Sequence, residues 1–152
     1  MIRELYRYNS RTRKRYLRVI FRKVPEKERY NNRGASFPSM VDIFVHIIDA
    51  YRFWFQYVYY GKIGDYRRLR EMEIFTERRA REEEKKIDSH MLRFLDSLRP
   101  ADLRMKVKLG RRVLTLRDIL IHMVEEELQH RGELNALLWQ AGVEPPLAEW
   151  RG

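Results

Sequence analysis

A histidine and a carboxylate that could bind one metal ion lie four residues apart near the end of the chain. Glu126 and His130 fall in the run IHMVEEELQHRGELNALLWQ, whose apolar residues recur at helical spacing. Residues four apart are neighbours on a helix, so these two side chains can converge on one ion. His122 continues the row, but about 12 Å of helical rise separates it from His130, so we place it in the surrounding pocket.

The apolar face of this predicted helix becomes polar at its middle. At 100° per residue, one stripe contains Leu116, Ile119, Leu120, Met123, Leu134, Leu137, Leu138 and Ala141. Between Met123 and Leu134, the positions on or beside this stripe hold Glu126, Glu127 and His130. Burying a carboxylate without a partner is costly, so these groups must be paired, hydrated or bound to a cation.

A third metal ligand must come from another helix, and His46 is the candidate. It lies at the edge of an apolar stripe formed by Met40, Ile43, Ile47, Ala50, Trp54 and Val58. Asp42 or Asp49 could accept a hydrogen bond from its imidazole. The spacing leaves a second interpretation open, in which Glu126 and His130 form a buried hydrogen-bonded pair and His46 is a satisfied core residue.

Four amphipathic helices are predicted to position these residues. They cover approximately residues 2–22, 36–60, 76–98 and 116–141. The first carries the apolar series Leu5, Tyr8, Thr12, Tyr16 and Val19, with an arginine-rich outer face. Either Ser36 or Ser39 is expected to start the second helix, which Gly61 and Gly64 end.

The connections between these helices have their own signals. Leu69, Met72 and Phe75 indicate a helical turn before the third helix. Alternation of apolar and basic residues over 105–109, followed by Gly110, predicts a β-hairpin before Thr115 caps the last helix. We therefore predict an all-α fold, a four-helix bundle with a short β-hairpin before the last helix, in one domain covering 1–152.

The composition limits the chemistry that this chain can perform. Cysteine is absent, which excludes disulfides, thiolate nucleophiles and thiolate-ligated metals, so a metal must sit on His, Asp or Glu. No segment has the length or apolar character of a transmembrane helix or signal peptide, so we expect a soluble, cytoplasmic protein without membrane partners. The net charge is +10, and the charged residues, 36% of the chain, are largely interleaved as in RRAREEEKK, which is typical of a solvated surface.

Three blocks in chain order resemble the DinB/YfiT-like family. LYRYN is similar to the opening helix of that family, and SFPSMVDIFVHIIDAYRFW resembles its block with a serine, a histidine and a tryptophan eight residues later. IHMVEEELQHRGELNALLWQAGVEPP resembles its closing helix, with His-Arg-Gly ahead of an apolar run and Gly-x-x-Pro-Pro. Together the blocks span most of the chain.

The resemblance implies an up-down-down-up four-helix bundle, a homodimer and a divalent metal held by three histidines. The first and third ligands correspond to His46 and His130. The second position, usually histidine in the family, is Glu126 here. A set of two histidines and one carboxylate suits zinc, iron(II), manganese or nickel, and the alternative is a degenerate site that has lost its metal.

The resemblance also implies a metal-dependent transferase or hydrolase that acts on a small molecule, because some relatives use a low-molecular-weight thiol. Glu133, His122 or Glu127 could serve as general base if they line the same pocket, and Glu133 has the most favourable angle in projection.

The competing hypothesis is a non-catalytic basic bundle that binds nucleic acid or another protein. It depends on the arginine-rich first helix, which contains Arg11, Arg13, Lys14, Arg15 and Arg18, and on the aromatic run at 51–60. We do not favour it, because basic residues recur on every segment without a DNA-binding motif.

Overall fold

Four long helices and one β-hairpin form the fold in the computed structural model, which describes residues 1–69 and 75–146. The helices are α1 (Ile2–Arg22), α2 (Met40–Tyr51), α3 (Glu77–Ser97) and α4 (Leu116–Gln140). Strands β1 (Lys106–Leu109) and β2 (Arg112–Thr115) pair antiparallel ahead of α4. The predicted all-α class and its hairpin are therefore confirmed.

Side-chain caps determine where three of the helices begin. The hydroxyls of Ser39, Thr76 and Thr115 accept hydrogen bonds from backbone amides in the first turns of α2, α3 and α4. Ser39 rather than Ser36 therefore starts α2. Gly110 has φ +58° at the hairpin turn, a left-handed conformation that glycine adopts without strain.

Contacts between the helices define an up-down-down-up bundle. Along α1 and α3, Lys14 pairs with Asp88 and Arg22 lies near Glu77, so these helices are antiparallel. Along α2 and α4, His46 meets Glu126 and Trp54 meets His122, so that pair is antiparallel too. The α2 segment runs parallel to α3, since Ile48 and Ile87 line one cavity and Tyr59, beyond the end of α2, contacts Phe94.

A π-helix over Arg52–Tyr59 continues α2. The sequence predicted an α-helix up to about Tyr60, and the structure corrects the type of this last part. The π-helical segment carries Phe53 and Trp54, which line the cavity described below. Shorter elements that the sequence did not indicate are one helical turn at Glu26–Arg29 and 3₁₀ turns at Ile63–Asp65 and Pro100–Arg104.

The buried face of α1 is rotated from the predicted one. Tyr6, Leu17 and Ile20 lie in the core, whereas Tyr8 and Val19 are only partly buried. Arg13, which the sequence placed on the outer basic face, is only 1% exposed. That assignment was wrong because Arg13 lies on the same helical face as the core residues, and buried carboxylates neutralise it.

Two predicted features fall partly or wholly outside the described residues. Leu69 and Phe75, from the predicted connecting turn, are buried in the core cluster. Met72, from the same turn, and Trp150, near the end of the chain, lie outside the described residues. No helix in the described part of the chain is both long enough and apolar enough to cross a bilayer.

Candidate metal centre

The structure brings His46, Glu126 and His130 together between α2 and α4. One ligand atom from each residue lies within 4.8 Å of the others. His46 Nε2 is 3.0 Å from Glu126 Oε1, and the two imidazole rings are 4.6 Å apart at nearly right angles. The antiparallel packing of α2 and α4 produces this convergence, because it places the middle of one helix against the middle of the other.

Polar contacts on its Nδ1 orient the ring of His130. Glu133 Oε1 lies 3.5 Å from Nδ1, one turn along α4, and Ser36 Oγ lies 3.4 Å from it. Ser36 also donates a short hydrogen bond to Glu133. Because Nδ1 faces these two groups, Nε2 is the nitrogen that remains for a ligand, which is the usual arrangement around a metal-binding histidine.

An aromatic ring packs against the face of the His46 imidazole. Phe37 stacks on the imidazole with ring centroids 4.1 Å apart, and it also touches the edge of His130. Asp49 does not orient His46, because its oxygens accept hydrogen bonds from Arg52, Tyr66 and the Leu69 amide. Phe37 therefore covers the site from the side of the loop that precedes α2.

A cavity of about 480 Å³ opens beside His46 and Glu126. Its aromatic wall consists of Phe37, Phe53, Trp54 and Tyr66. The polar side chains that line it are His46, Glu126, His122, Asp42, Asp49 and Arg68. A volume of this size accommodates a small organic molecule, and the mixture of aromatic walls with a few polar groups is typical of ligand sites.

His122 lies in this cavity, as the sequence predicted for a pocket residue. Its Nε2 is 3.4 Å from Glu126 Oε2, and the indole of Trp54 packs against the imidazole with centroids 4.8 Å apart. About half of the side chain is exposed. His122 is therefore accessible from the cavity while it stays next to the metal-ligand cluster.

The surroundings of Glu126 and His130 favour the protonation states that metal binding requires of these two residues. Burial raises the pKa of Glu126, but the hydrogen bond from His46 and the charges of the neighbouring histidines outweigh it, so this pKa lies below its ordinary value. Burial, together with the charge of His46, lowers the pKa of His130. An ionised carboxylate and a neutral imidazole are the forms that bind a cation.

The side chain of Glu127 points away from the cavity into the bundle core. Its Oε2 accepts hydrogen bonds from Arg13 (2.7 Å) and Tyr51 (2.6 Å). The guanidinium of Arg13 also lies 3.5 Å from Glu84 and 4.9 Å from the centre of the Tyr51 ring. This buried polar network joins all four helices, and nothing in the sequence pattern of α4 alone distinguished Glu127 from its neighbour Glu126.

The three residues predicted as general bases thus have different surroundings. His122 lines the cavity, Glu133 contacts the far side of His130, and Glu127 belongs to the buried network. The sequence did not identify Phe37 or Tyr66 as part of the site. Both come from loops, where no periodic pattern shows which side chains turn inward.

The residues present fit a divalent cation. Glu126 Oε2 is buried without a hydrogen-bond partner, because its contact with His122 is only an ion pair at 3.4 Å. A bound cation would satisfy that oxygen, which otherwise carries a desolvation cost. Two imidazoles and one carboxylate, beside a cavity that leaves room for further ligands, form a donor set that zinc, iron(II), manganese and nickel accept.

Comparisons with known proteins agree with the fold. The sequence model of the DinB family matches residues 1–151. Among solved structures, a DinB-like protein (YjoA) from Bacillus subtilis superposes with a TM-score of 0.71 at 16% identity, covering 98% of this chain and 99% of that one. A search of curated proteins finds no match.

Proposed function

Because the chain belongs to the DinB family, we propose that it is a divalent-metal-dependent enzyme that acts on a small molecule, with a low-molecular-weight thiol as co-substrate. The observation that carries the proposal is the convergence of His46, Glu126 and His130 beside the cavity, which His46 and Glu126 line. The reaction class is a transfer to the thiol or a hydrolysis.

His46, Glu126 and His130 would hold the cation, and the rest of the site would orient them. When bound, a divalent ion supplies Lewis acidity and lowers the pKa of a thiol or water. Glu133 and Ser36 fix the ring of His130, so that Nε2 faces the cluster. Phe37 covers the imidazole of His46 and limits access of water to it.

His122 is the residue that we assign to proton transfer. It lines the cavity next to Glu126, and Trp54 restricts the movement of its ring. An imidazole can act both as a base and as an acid, so His122 can accept the proton of a thiol or water and deliver it to a leaving group. The aromatic wall of the cavity would bind the apolar part of the substrate.

The experiment measures conjugation of a thiol with an electrophilic aromatic probe, with and without removal of metal by a chelator. We expect turnover that is lost on chelation and restored by one of zinc, manganese, nickel or iron(II). The variant His122→Ala should keep its metal content and lower kcat by about 10²-fold to 10⁴-fold, as expected for a general base. Turnover that survives complete removal of metal would refute this mechanism.

A further inference from the structure

The segment that contains the β-hairpin is strongly basic and has no acidic residue. Between residues 104 and 117 there is no Asp or Glu. The cationic residues in this segment are Arg104, Lys106, Lys108, Arg111, Arg112 and Arg117. This composition differs from that of α3, in which basic residues alternate with glutamates.

The strand register separates an inner from an outer face of the hairpin. Val107 is paired with Leu114, and both turn toward the bundle, where Val107 is buried. Lys106 and Lys108 lie on the opposite face, which is exposed. Two residues along a strand span about 7 Å, so the two ammonium groups leave the same face at that separation.

In the described part of the chain, the basic side chains of this segment form no direct pair with a carboxylate, and Arg117, at the start of α4, acts on the Asp118 carboxyl only through its charge. Within residues 1–69 and 75–146, the structure gives none of the six a hydrogen bond or an ion pair through its side chain. The two nearest carboxylates in sequence are already engaged, since Asp102 binds Arg99 and Asp118 caps α4 through Thr115. By contrast, Arg78, Arg81 and Lys86 on α3 are each paired with a glutamate.

We propose that this hairpin binds the phosphate backbone of double-stranded nucleic acid, an interaction separate from the proposed reaction at the metal centre. Duplex DNA carries one negative charge per about 1.7 Å of its axis, so a hairpin that lies along the duplex faces several phosphates. A two-stranded β-ribbon also fits the major groove, which is about 12 Å wide. On α1, by contrast, part of the basic series is unavailable to a ligand, because Arg13 is buried and Lys14 is paired with Asp88.

The composition of the hairpin favours a duplex over other polyanions. Residues 104–117 contain no aromatic side chain on which the bases of a single strand could stack. The turn at Gly110, Arg111 and Arg112 is charged rather than apolar, which disfavours insertion into a lipid bilayer. Lysine and arginine side chains that contact phosphates give affinity without sequence preference.

The test measures binding of a fluorescent DNA duplex of arbitrary sequence as a function of salt. A hairpin variant, Lys106→Gln with Lys108→Gln and Arg111→Gln, is compared with wild type. The matched control removes three paired charges from α3 by Arg78→Gln, Arg81→Gln and Lys86→Gln. Both variants lose the same net charge, and all six substitutions are at exposed or ion-paired surface positions.

We expect the hairpin variant to lose at least about tenfold in affinity near physiological salt, and its salt slope to fall by roughly 0.9 for each lost phosphate contact. The control should bind like wild type, and Lys108→Gln alone should lower the slope by about one unit. Equal weakening of both triple variants would show that net charge, not the hairpin, determines binding, and would overturn the proposal. Wild-type binding to vesicles rich in phosphatidylserine without duplex binding would overturn it as well.

Discussion

Glu126 is the residue in which this chain departs from the three-histidine set that the family resemblance implies. The carboxylate adds a negative charge to the cluster, which favours harder cations and makes a bound water less acidic than three neutral imidazoles would. Its pKa, which lies below the ordinary value, keeps it ionised at neutral pH.

Replacing Glu126 by histidine tests whether the carboxylate is a ligand. We expect Glu126→His to keep a divalent ion and to shift preference from manganese toward zinc, because imidazole is the softer donor. Glu126→Gln should bind metal at least about tenfold more weakly, since the charge is lost. Competition against a chromophoric chelator measures both affinities, and unchanged affinity in both variants would exclude Glu126 from the site.

Glu133 acts through His130 in this account, so its removal should weaken metal binding without abolishing it. We expect Glu133→Gln to lower metal affinity by about 10-fold to 100-fold, the range for residues that orient a ligand. The control is Glu125→Gln, an exposed glutamate on the same helix. If Glu133→Gln keeps full affinity but loses turnover, the side chain is a general base instead.

At the residue scale, the pattern and the family resemblance together indicated the cluster of His46, Glu126 and His130. The polar gap in an apolar stripe was the informative signal. Ser36 and Phe37 could not be assigned to the site in the same way, because their contact with His130 or His46 depends on the path of a loop.

Helix α1 is joined to the ligand-bearing helix α4 through buried charge rather than through apolar contacts alone. Arg13 and Glu127 are each 1% exposed and bind one another at 2.7 Å. An ion pair in this position is costly to break, because the remaining charge stays in the core.

Arg13→Ala should therefore reduce the free energy of unfolding by about 3–5 kcal/mol. The neighbouring exposed residue provides the control, and Arg11→Ala should change stability by less than about 0.5 kcal/mol. Urea denaturation followed by circular dichroism measures both. A loss below about 1 kcal/mol in Arg13→Ala would mean that the network is not a structural constraint on α4.

The dependence of the unfolding free energy on pH in the acid range should include a contribution from Asp88 of α3. Burial raises the pKa of Asp88, but hydrogen bonds from Lys14 and Ser10 and the charges of Lys14 and Arg13 outweigh it, so this pKa is lowered. The folded state then binds fewer protons than the unfolded one, whose aspartate pKa is about 3.9. The contribution of Asp88 is therefore fully present above about pH 5 and is lost as the pH falls through the lowered pKa.

Asp88→Asn should consequently be less stable than wild type at pH 7, and the difference should shrink as the pH is lowered toward 3. Urea denaturation at a series of pH values measures this difference. The neighbouring carboxylate provides a contrast, because burial raises the pKa of Glu84 and gives its contribution the opposite dependence on pH. If the difference in unfolding free energy between wild type and Asp88→Asn stays constant with pH, the Asp88 carboxylate does not cause the loss of stability in acid.

At the element scale, the sequence predicted the four helices, the Thr115 cap and the hairpin closely, and it left Ser36 and Ser39 as alternatives for the start of α2. It failed for the π-helix over Arg52–Tyr59, because apolar spacing does not distinguish it from a continuing α-helix. It also failed for the position of Arg13, since a charged residue is expected to face solvent unless the partners that neutralise it are known. Those partners, Glu84 and Glu127, are distant in sequence.

For the molecule as a whole, periodicity indicated a bundle of four helices, and the family resemblance indicated the up-down-down-up arrangement that the helix contacts show. The predicted homodimer stays a prediction. The outer face of α4 is a candidate interface, because Leu128 (47% exposed) and Trp139 (60% exposed) lie within about 20° of each other around the helix.

Leu128→Glu combined with Trp139→Glu should convert a dimer into a monomer, because charges on an apolar interface must be desolvated. Sedimentation equilibrium measures the mass, and Ile63→Glu, at an exposed apolar position outside α4, is the control. A dimer that persists in the double variant would place the interface elsewhere, and a monomeric wild type would refute the dimer.

The metal content of protein purified without added metal decides whether His46, Glu126 and His130 form a metal centre. Mass spectrometry of wild type should find about one divalent ion per chain, and His46→Ala and His130→Ala should each remove most of it. His90→Ala is the matched control, because His90 lies on α3, bonded to Gln56 and outside the cluster, and this variant should match wild type. Equally low metal in wild type and variants, or equal loading of all of them when metal is supplied, would contradict a metal centre at this site.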